Sequence, residues 1–258
     1  MIIEPVITKD GTKIIPLSEG EFTIDSSKVM VPYNAETDNL ADRPGSLLVE
    51  VTPFLVVNKK DVILLDAGLG YKIDGELQIH KTLRAYGYEP EDVTKVLVSH
   101  LHKDHAGGLM YTDKYNDPQP AFKNAVYFVH RQAFDYSMET GYPKYLTEEF
   151  EWLDSYSKVF WLADDDGTID NYIHYKITNG HSPFHQVFWI EELNGRPIFF
   201  GADDAPQYKQ MIKKFSAKYD YDGKRSMELR QEWWDAGKEN HWTFLFYHDT
   251  RSAVFQCE

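Results

Sequence analysis

The stretch Ser99-His100-Leu101-His102-Lys103-Asp104-His105-Ala106-Gly107-Gly108 places four potential metal ligands within six positions. Three of the chain's 10 histidines fall in this window beside an aspartate, a density that a chance surface loop does not explain. In an extended segment alternate side chains face the same way, so His100 and His102 can bind one ion together. If the chain then turns into a helix, Asp104 and His105 project toward a second ion, while Gly107 and Gly108 let backbone pass close by. Imidazole and carboxylate donors without thiolate disfavour a purely structural zinc and suit a reactive centre. The expected cofactor is two divalent metal ions, zinc first, with manganese, iron or cobalt as alternatives. Such a pair lowers the pKa of a shared water, making hydroxide available near neutral pH to attack a carbonyl carbon or a phosphorus. No serine or cysteine nucleophile with a convincing triad competes with this reading.

The elements that must position these residues alternate between strand and helix signals. GEFTIDSS, SLLVEVTPFLVV and DVILLDAG are rich in β-branched residues and bounded by turn formers. VILLD reads as a buried strand opening into a loop at Asp66, a helix is expected over residues 77–86 with Gly87 closing it, and KVLVSH is a second buried strand delivering the first histidines. Beyond the cluster, VYFVH reads as strand and RQAFDYS as helix. YLTEEFEWLDSYSK (residues 145–158) has the pattern of an amphipathic helix. YIHYKITNGH and QVFWIEE read as adjacent strands, RPIFFGADDAP as a strand ending in carboxylates, KRSMELRQEWWDAGKEN as a helix and HWTFLFYHD as the last strand. Several strands thus end in His or Asp, the usual address of active sites in layered α/β folds.

No repeat, low-complexity run or long linker interrupts residues 1–258, which are expected to form a single domain. The hydrophobic content of 42% and charged content of 26% are ordinary for a globular chain. A net charge of −14, from 41 acidic and 27 basic residues, argues against nucleic acid as a partner and favours cations. No apolar run is long enough to span a membrane, and the N-terminal residues do not read as a signal peptide, so a cytoplasmic location is expected. A single cysteine, Cys257, excludes an intramolecular disulfide framework. The expected partner is a small-molecule substrate, met by a monomer or homodimer.

His-x-His-x-Asp-His after a buried strand resembles the signature of the metallo-β-lactamase superfamily. Asn179-Gly180-His181-Ser182-Pro183-Phe184-His185 resembles that family's G-H-[TS]-x-G-H element, with Phe184 in place of its second glycine. Gly201-Ala202-Asp203-Asp204-Ala205-Pro206 resembles its G-D-x-x-P element with one alanine inserted, and Phe246-Tyr247-His248-Asp249 its terminal histidine motif. The resemblance covers residues 47–249 and implies an αββα sandwich, two mixed sheets flanked by helices, with the site at one edge. It implies that His100, His102 and His181 hold one ion, that Asp104, His105 and His248 hold the other, and that Asp203 is shared, Asp204 being the competing register. Asp66 matches an aspartate that orients ligands, and His185 is read as supporting the ligand loop. His130, His80, His174 and His241 are read as structural or solvated, and Trp233 and Trp234 as core and helix surface.

Within the superfamily the chain is most similar to the N-acyl homoserine lactone lactonase and organophosphate hydrolase branch, on Leu83-Arg84-Ala85-Tyr86-Gly87-Tyr88-Glu89-Pro90 and the helix after Val129-His130-Arg131. The implied activity is hydrolysis of a small ester or lactone, with Asp104 handling a proton. Those lactonases carry a tyrosine three residues after the bridging aspartate, where this chain has Pro206; Tyr208 is the nearby candidate to replace it. The alternatives are an iron-dependent redox protein or a non-catalytic metal-binding module on the same fold.

Overall fold

The computed structural model describes residues 3–257 apart from 114, 116 and 194. Two mixed sheets form its centre. The first has seven strands in the order Val6–Ile7, Lys13–Pro16, Phe54–Val57, Val62–Leu65, Lys95–Leu97, Val126–His130 and Val159–Leu162, antiparallel up to Val62–Leu65 and parallel beyond. The second has six, Asp166–Ile169, Ile173–Ile177, Gln186–Ile190, Ile198–Phe200, Thr243–Leu245 and Val254–Gln256, with only the Ile198–Phe200 and Thr243–Leu245 pair parallel.

Strand alternation divides the apolar residues among three layers. Ile63, Leu65, Leu97 and Phe128 face Ile173, Phe188, Phe200 and Leu245 across the interior between the sheets. Their neighbours Leu64, Val96, Tyr127 and Val129 point the other way, onto Ile79 and Leu83 of the Gln78–Ala85 helix and Phe134 of the Arg131–Thr140 helix. On the far face of the second sheet, Val187, Phe199, Phe244 and Phe246 meet Trp233 of the Gly223–Asn240 helix. The order is therefore helix, sheet, sheet, helix, as the resemblance implied.

Two sequence readings are corrected. SLLVEVTPFLVV is not one strand: Leu47–Val51 pairs with Gly20–Ile24 in a separate three-stranded sheet, and Phe54–Val57 joins the first main sheet. Pro53 sits at the break, where its missing N–H cannot serve a ladder. Residues 145–158 form no amphipathic helix but two short 3₁₀ turns, Thr147–Glu149 and Glu151–Asp154. Tyr145, Phe150 and Leu153 are buried in the second core layer, and burying residues at this spacing overrides the local helical preference.

Four further histidines lie elsewhere in the fold. His80 bonds the Ala121 carbonyl at 3.0 Å from a buried position, His174 pairs with Glu191 on the surface, and His241 ends the long helix in a left-handed conformation. His130 is buried at the end of its strand. Trp233 is buried and Trp234 packs at the edge of the same layer. None of the helices among the described residues is long and apolar enough to cross a membrane.

Candidate metal centre

The site is assembled where strands of both sheets end. Val62–Leu65 runs into Asp66, which is fully buried with φ +56. The parallel neighbour Lys95–Leu97 runs into Ser99 and His100. Asp66 ties the two ends together: its Oδ1 accepts from Ser99 N at 2.7 Å and its Oδ2 from Ser99 Oγ at 2.6 Å. His102 then caps the short helix Lys103–Ala106 that carries Asp104 and His105. Gly107 and Gly108 follow, and a Cβ on either would collide with the carbonyl of Leu69 or Ala67, so the close backbone approach expected there is present. The second sheet supplies the rest: His181 from the loop before Gln186–Ile190, Asp203 after Ile198–Phe200, and His248 after Thr243–Leu245.

The structure brings these seven residues together in two groups. His100 Nε2 lies 2.9 Å from His102 Nδ1, and His181 Nε2 lies 3.1 Å from the same atom. On the other side His248 Nε2 is 3.4 Å and His105 Nε2 3.7 Å from Asp104 Oδ2. Asp203 stands between. Its Oδ2 is 3.1 Å from His181 Nε2 and 3.8 Å from His100 Nε2, while its Oδ1 is 3.0 Å from His248 Nε2 and 3.2 Å from His105 Nε2. The potential ligand atoms within each group lie within 4.8 Å of one another. Asp204 faces away from both. Its Oδ1 accepts from His181 N and from Ser226 Oγ, each at 2.8 Å, and its Oδ2 lies 3.0 Å from His185 Nδ1. The residue inserted before this pair, Ala202, is buried with φ +41, so the extra length is absorbed as a left-handed turn that aims Asp203 at the cluster.

The outward nitrogens of four of the histidines are hydrogen-bonded, which leaves Nε2 of each turned inward. His105 Nδ1 donates to Asp66 Oδ2 at 2.7 Å, His248 Nδ1 to the Glu50 carbonyl at 2.6 Å, and His181 Nδ1 to Asp220 Oδ1 at 3.0 Å. His100 Nδ1 meets Ser99 Oγ at 3.0 Å. Such partners fix the ring orientation and tautomer a metal ligand needs. His102 presents Nδ1 instead and is held by stacking on Tyr145, centroids 5.1 Å apart at 30°; His105 stacks on Tyr247 at 4.1 Å.

Electrostatics favour cations here. Burial acts against charge on Asp203, but His105, His248 and His181 outweigh it and hold the carboxyl well below the usual range. Asp104, likewise buried, is brought down to about 2 by His105 and His248. The same carboxylates push His248 up to about 10 against its burial, whereas burial and His181 push His102 down to about 3. The two ionised carboxylates keep His105, His181 and His248 raised, so the site favours positive charge, and a bound cation would take the place of those imidazole protons. His105 Nε2 and Asp203 Oδ1 are also buried without a well-formed hydrogen bond. An all-nitrogen-and-oxygen donor set of this kind fits two divalent first-row ions.

Tyr208 is not brought to the cluster: its ring packs on Phe255, Trp234 and Phe246 on the outer face of the second sheet. A different tyrosine is. The Tyr219 ring, 42% exposed, sits 6.2 Å from that of His181, and partial desolvation together with the Asp203 and Asp220 carboxylates pushes its phenol up to about 12. Tyr219 and Asp220 lie in KYDYDGK, an ordinary polar loop with no local mark of function. Only the tertiary contacts expose them: Tyr221 N and Asp222 N bond the carbonyls of His181 and Gly180, clasping this loop to the one that carries His181.

The chain belongs to the metallo-beta-lactamase superfamily, whose family model matches residues 48–201. Its sequence is 27% identical over 133 residues to the N-acyl homoserine lactonase AttM of Agrobacterium fabrum, a match spanning 48% of this chain and 45% of that relative. It is 28% identical over 203 residues to the N-acyl homoserine lactonase AiiA of Bacillus thuringiensis, covering 70% of this chain and 74% of that one. Among solved structures, a probable metal-dependent hydrolase from Staphylococcus aureus superposes with a TM-score of 0.77 at 20% identity, covering 95% of this chain and 92% of its own. The dizinc quorum-quenching lactonase AidC superposes at 0.72 with 19% identity, covering 97% and 92%. These likenesses bear out the metallo-β-lactamase fold expected from the motifs.

Proposed function

We propose that this protein is a binuclear metal-dependent hydrolase that opens an ester or lactone bond in a small molecule. The observation that carries the reading is Asp203, whose two oxygens are divided between His181 and His100 on one side and His105 and His248 on the other. Two divalent ions, zinc before manganese, iron or cobalt, would acidify a shared water and polarise the scissile carbonyl. The chain's own groups do the rest. Asp66, Asp220 and the Glu50 carbonyl keep three ligand imidazoles in the tautomer that turns Nε2 inward. Asp104 holds the proton given up by the attacking water on its carboxylate and returns it to the leaving oxygen. Tyr219, whose ring lies 6.2 Å from that of His181, would donate a hydrogen bond to that leaving oxygen, the task for which Tyr208 is badly placed. The negative charge of the chain favours an uncharged small molecule over nucleic acid, and the lactonases among its relatives support a lactone first.

The test is metal content of the purified protein by plasma mass spectrometry, paired with a pH-indicator screen over lactones, aryl esters and phosphotriesters. About two equivalents of metal with chelator-sensitive turnover of a lactone or ester is expected. Two equivalents of iron with oxygen consumption and no hydrolysis would overturn the hydrolase reading in favour of redox chemistry.

A further inference from the structure

The loop that carries His181 contains a strained residue. Phe184 adopts φ +59, a left-handed conformation that costs a bulky L-residue roughly 1–2 kcal/mol. Its N–H is tied to Asn179 Oδ1 at 2.8 Å, which anchors the turn that holds this conformation. Glycine would satisfy it without strain, and glycine stands there in the motif this segment resembles. Phenylalanine therefore contributes something through its ring. That contribution is not core filling, because the ring is only partly buried.

The ring ends a row of aromatic side chains that starts at a ligand of the metal centre. Tyr145 stacks on His102, Tyr136 meets Tyr145 edge-on at 6.2 Å, and Phe184 meets Tyr136 at 6.2 Å and 63°. Behind Phe184 the buried His130 ring lies parallel at 11°, with centroids 6.3 Å apart, and backs the wall. Tyr145 is buried, whereas Tyr136 and Phe184 each keep part of their surface open. The row thus runs outward from His102 and ends in two partly exposed rings.

We propose that Phe184 and Tyr136 form a specificity wall that takes the non-reacting part of the substrate, an apolar acyl or aryl substituent, by ring contact. This rests on the hydrolase reading above. The wall contributes binding that grows with the apolar area offered to it, so a larger substituent gains and the smallest one does not.

The test compares wild type, Phe184→Gly and Phe184→Tyr in the metal-replete protein over a homologous series, from unsubstituted γ-butyrolactone and acetyl esters to long-acyl and aryl members. Phe184→Gly relieves the backbone strain, so the variant should fold, and its melting temperature provides the control. Expected is a loss of about tenfold in kcat/KM for the large apolar members, mostly in KM, with the smallest members little changed. Phe184→Tyr should restore most of the loss. A uniform change across the series, or a gain for the large members, overturns the wall, the latter making Phe184 a plug. A metal-replete wild type that turns over no member refutes the hydrolase reading, and the wall falls with it.

Discussion

Asp220 Oδ1 accepts a hydrogen bond from His181 Nδ1 at 3.0 Å, and both side chains are buried. The contact does for the His100, His102 and His181 group what Asp66 does for His105 in the other. Each half of the centre therefore has one imidazole oriented by a buried carboxylate.

Asp220→Asn should weaken binding of one of the two ions about 10- to 100-fold while leaving the other close to wild type. Competition with a chromophoric chelator resolves the two steps. Equal weakening of both, or of neither, would show that Asp220 does not act through His181.

Asp203→Asn should remove most bound metal and nearly all turnover, because each of its oxygens faces a different group. Asp204→Asn should instead act on stability. It disturbs the bonds to His181 N, Ser226 Oγ and His185, with an expected cost of about 1–3 kcal/mol in denaturant unfolding. If Asp204→Asn proves the more damaging to metal content, the shared carboxylate is Asp204.

His102→Ala removes a proposed ligand atom that sits close to both His100 and His181, yet His102 itself is not in an apolar core layer. Turnover should vanish while circular dichroism and melting stay close to wild type. Full activity in the metal-reconstituted variant would exclude the proposed centre.

Tyr219→Phe should lower kcat on the order of 10²-fold for lactones and alkyl esters and much less for aryl esters, whose leaving oxygen needs little help. Tyr208→Phe should leave both unchanged. The opposite pattern would return the leaving-group role to Tyr208.

Glu19 is buried beneath the Asp104 side of the centre, where its Oε2 accepts from Leu69 N at 2.6 Å. Burial, with a smaller push from Asp104, raises its pKa to about 8. An acid raised in this way holds its proton in the folded state after the unfolded chain has lost it. Stability should therefore fall as pH rises from the ordinary glutamate range toward 8, by at most about 1.4 kcal/mol per pH unit, and level off above. Glu19→Gln should flatten that slope in melts across pH 5–9 at fixed metal. A variant with the same slope would assign it to other groups.

Sequence alone brought out the first cluster of candidate ligands and its frame. His100, His102, Asp104 and His105 could be read because they fall within six positions of the chain and follow a buried strand, so spacing there reports geometry directly. The buried strands, the long C-terminal helix and the layered α/β order followed from alternation and length, and motif likeness extended the ligand set to His181, Asp203 and His248. Tertiary structure decided what depends on contacts between distant segments. Asp203 and Asp204 are identical neighbours, separated only by which one faces the cluster and which one holds the His181 loop. Tyr219 and Asp220 carry no local signature, because the clasp that brings them in is made by backbone bonds to a loop about forty residues earlier in the chain. The expected helix at residues 145–158 gave way to turns for the same kind of reason: where Tyr145, Phe150 and Leu153 are buried is set by the shape of the core they fill, and local periodicity does not encode that shape.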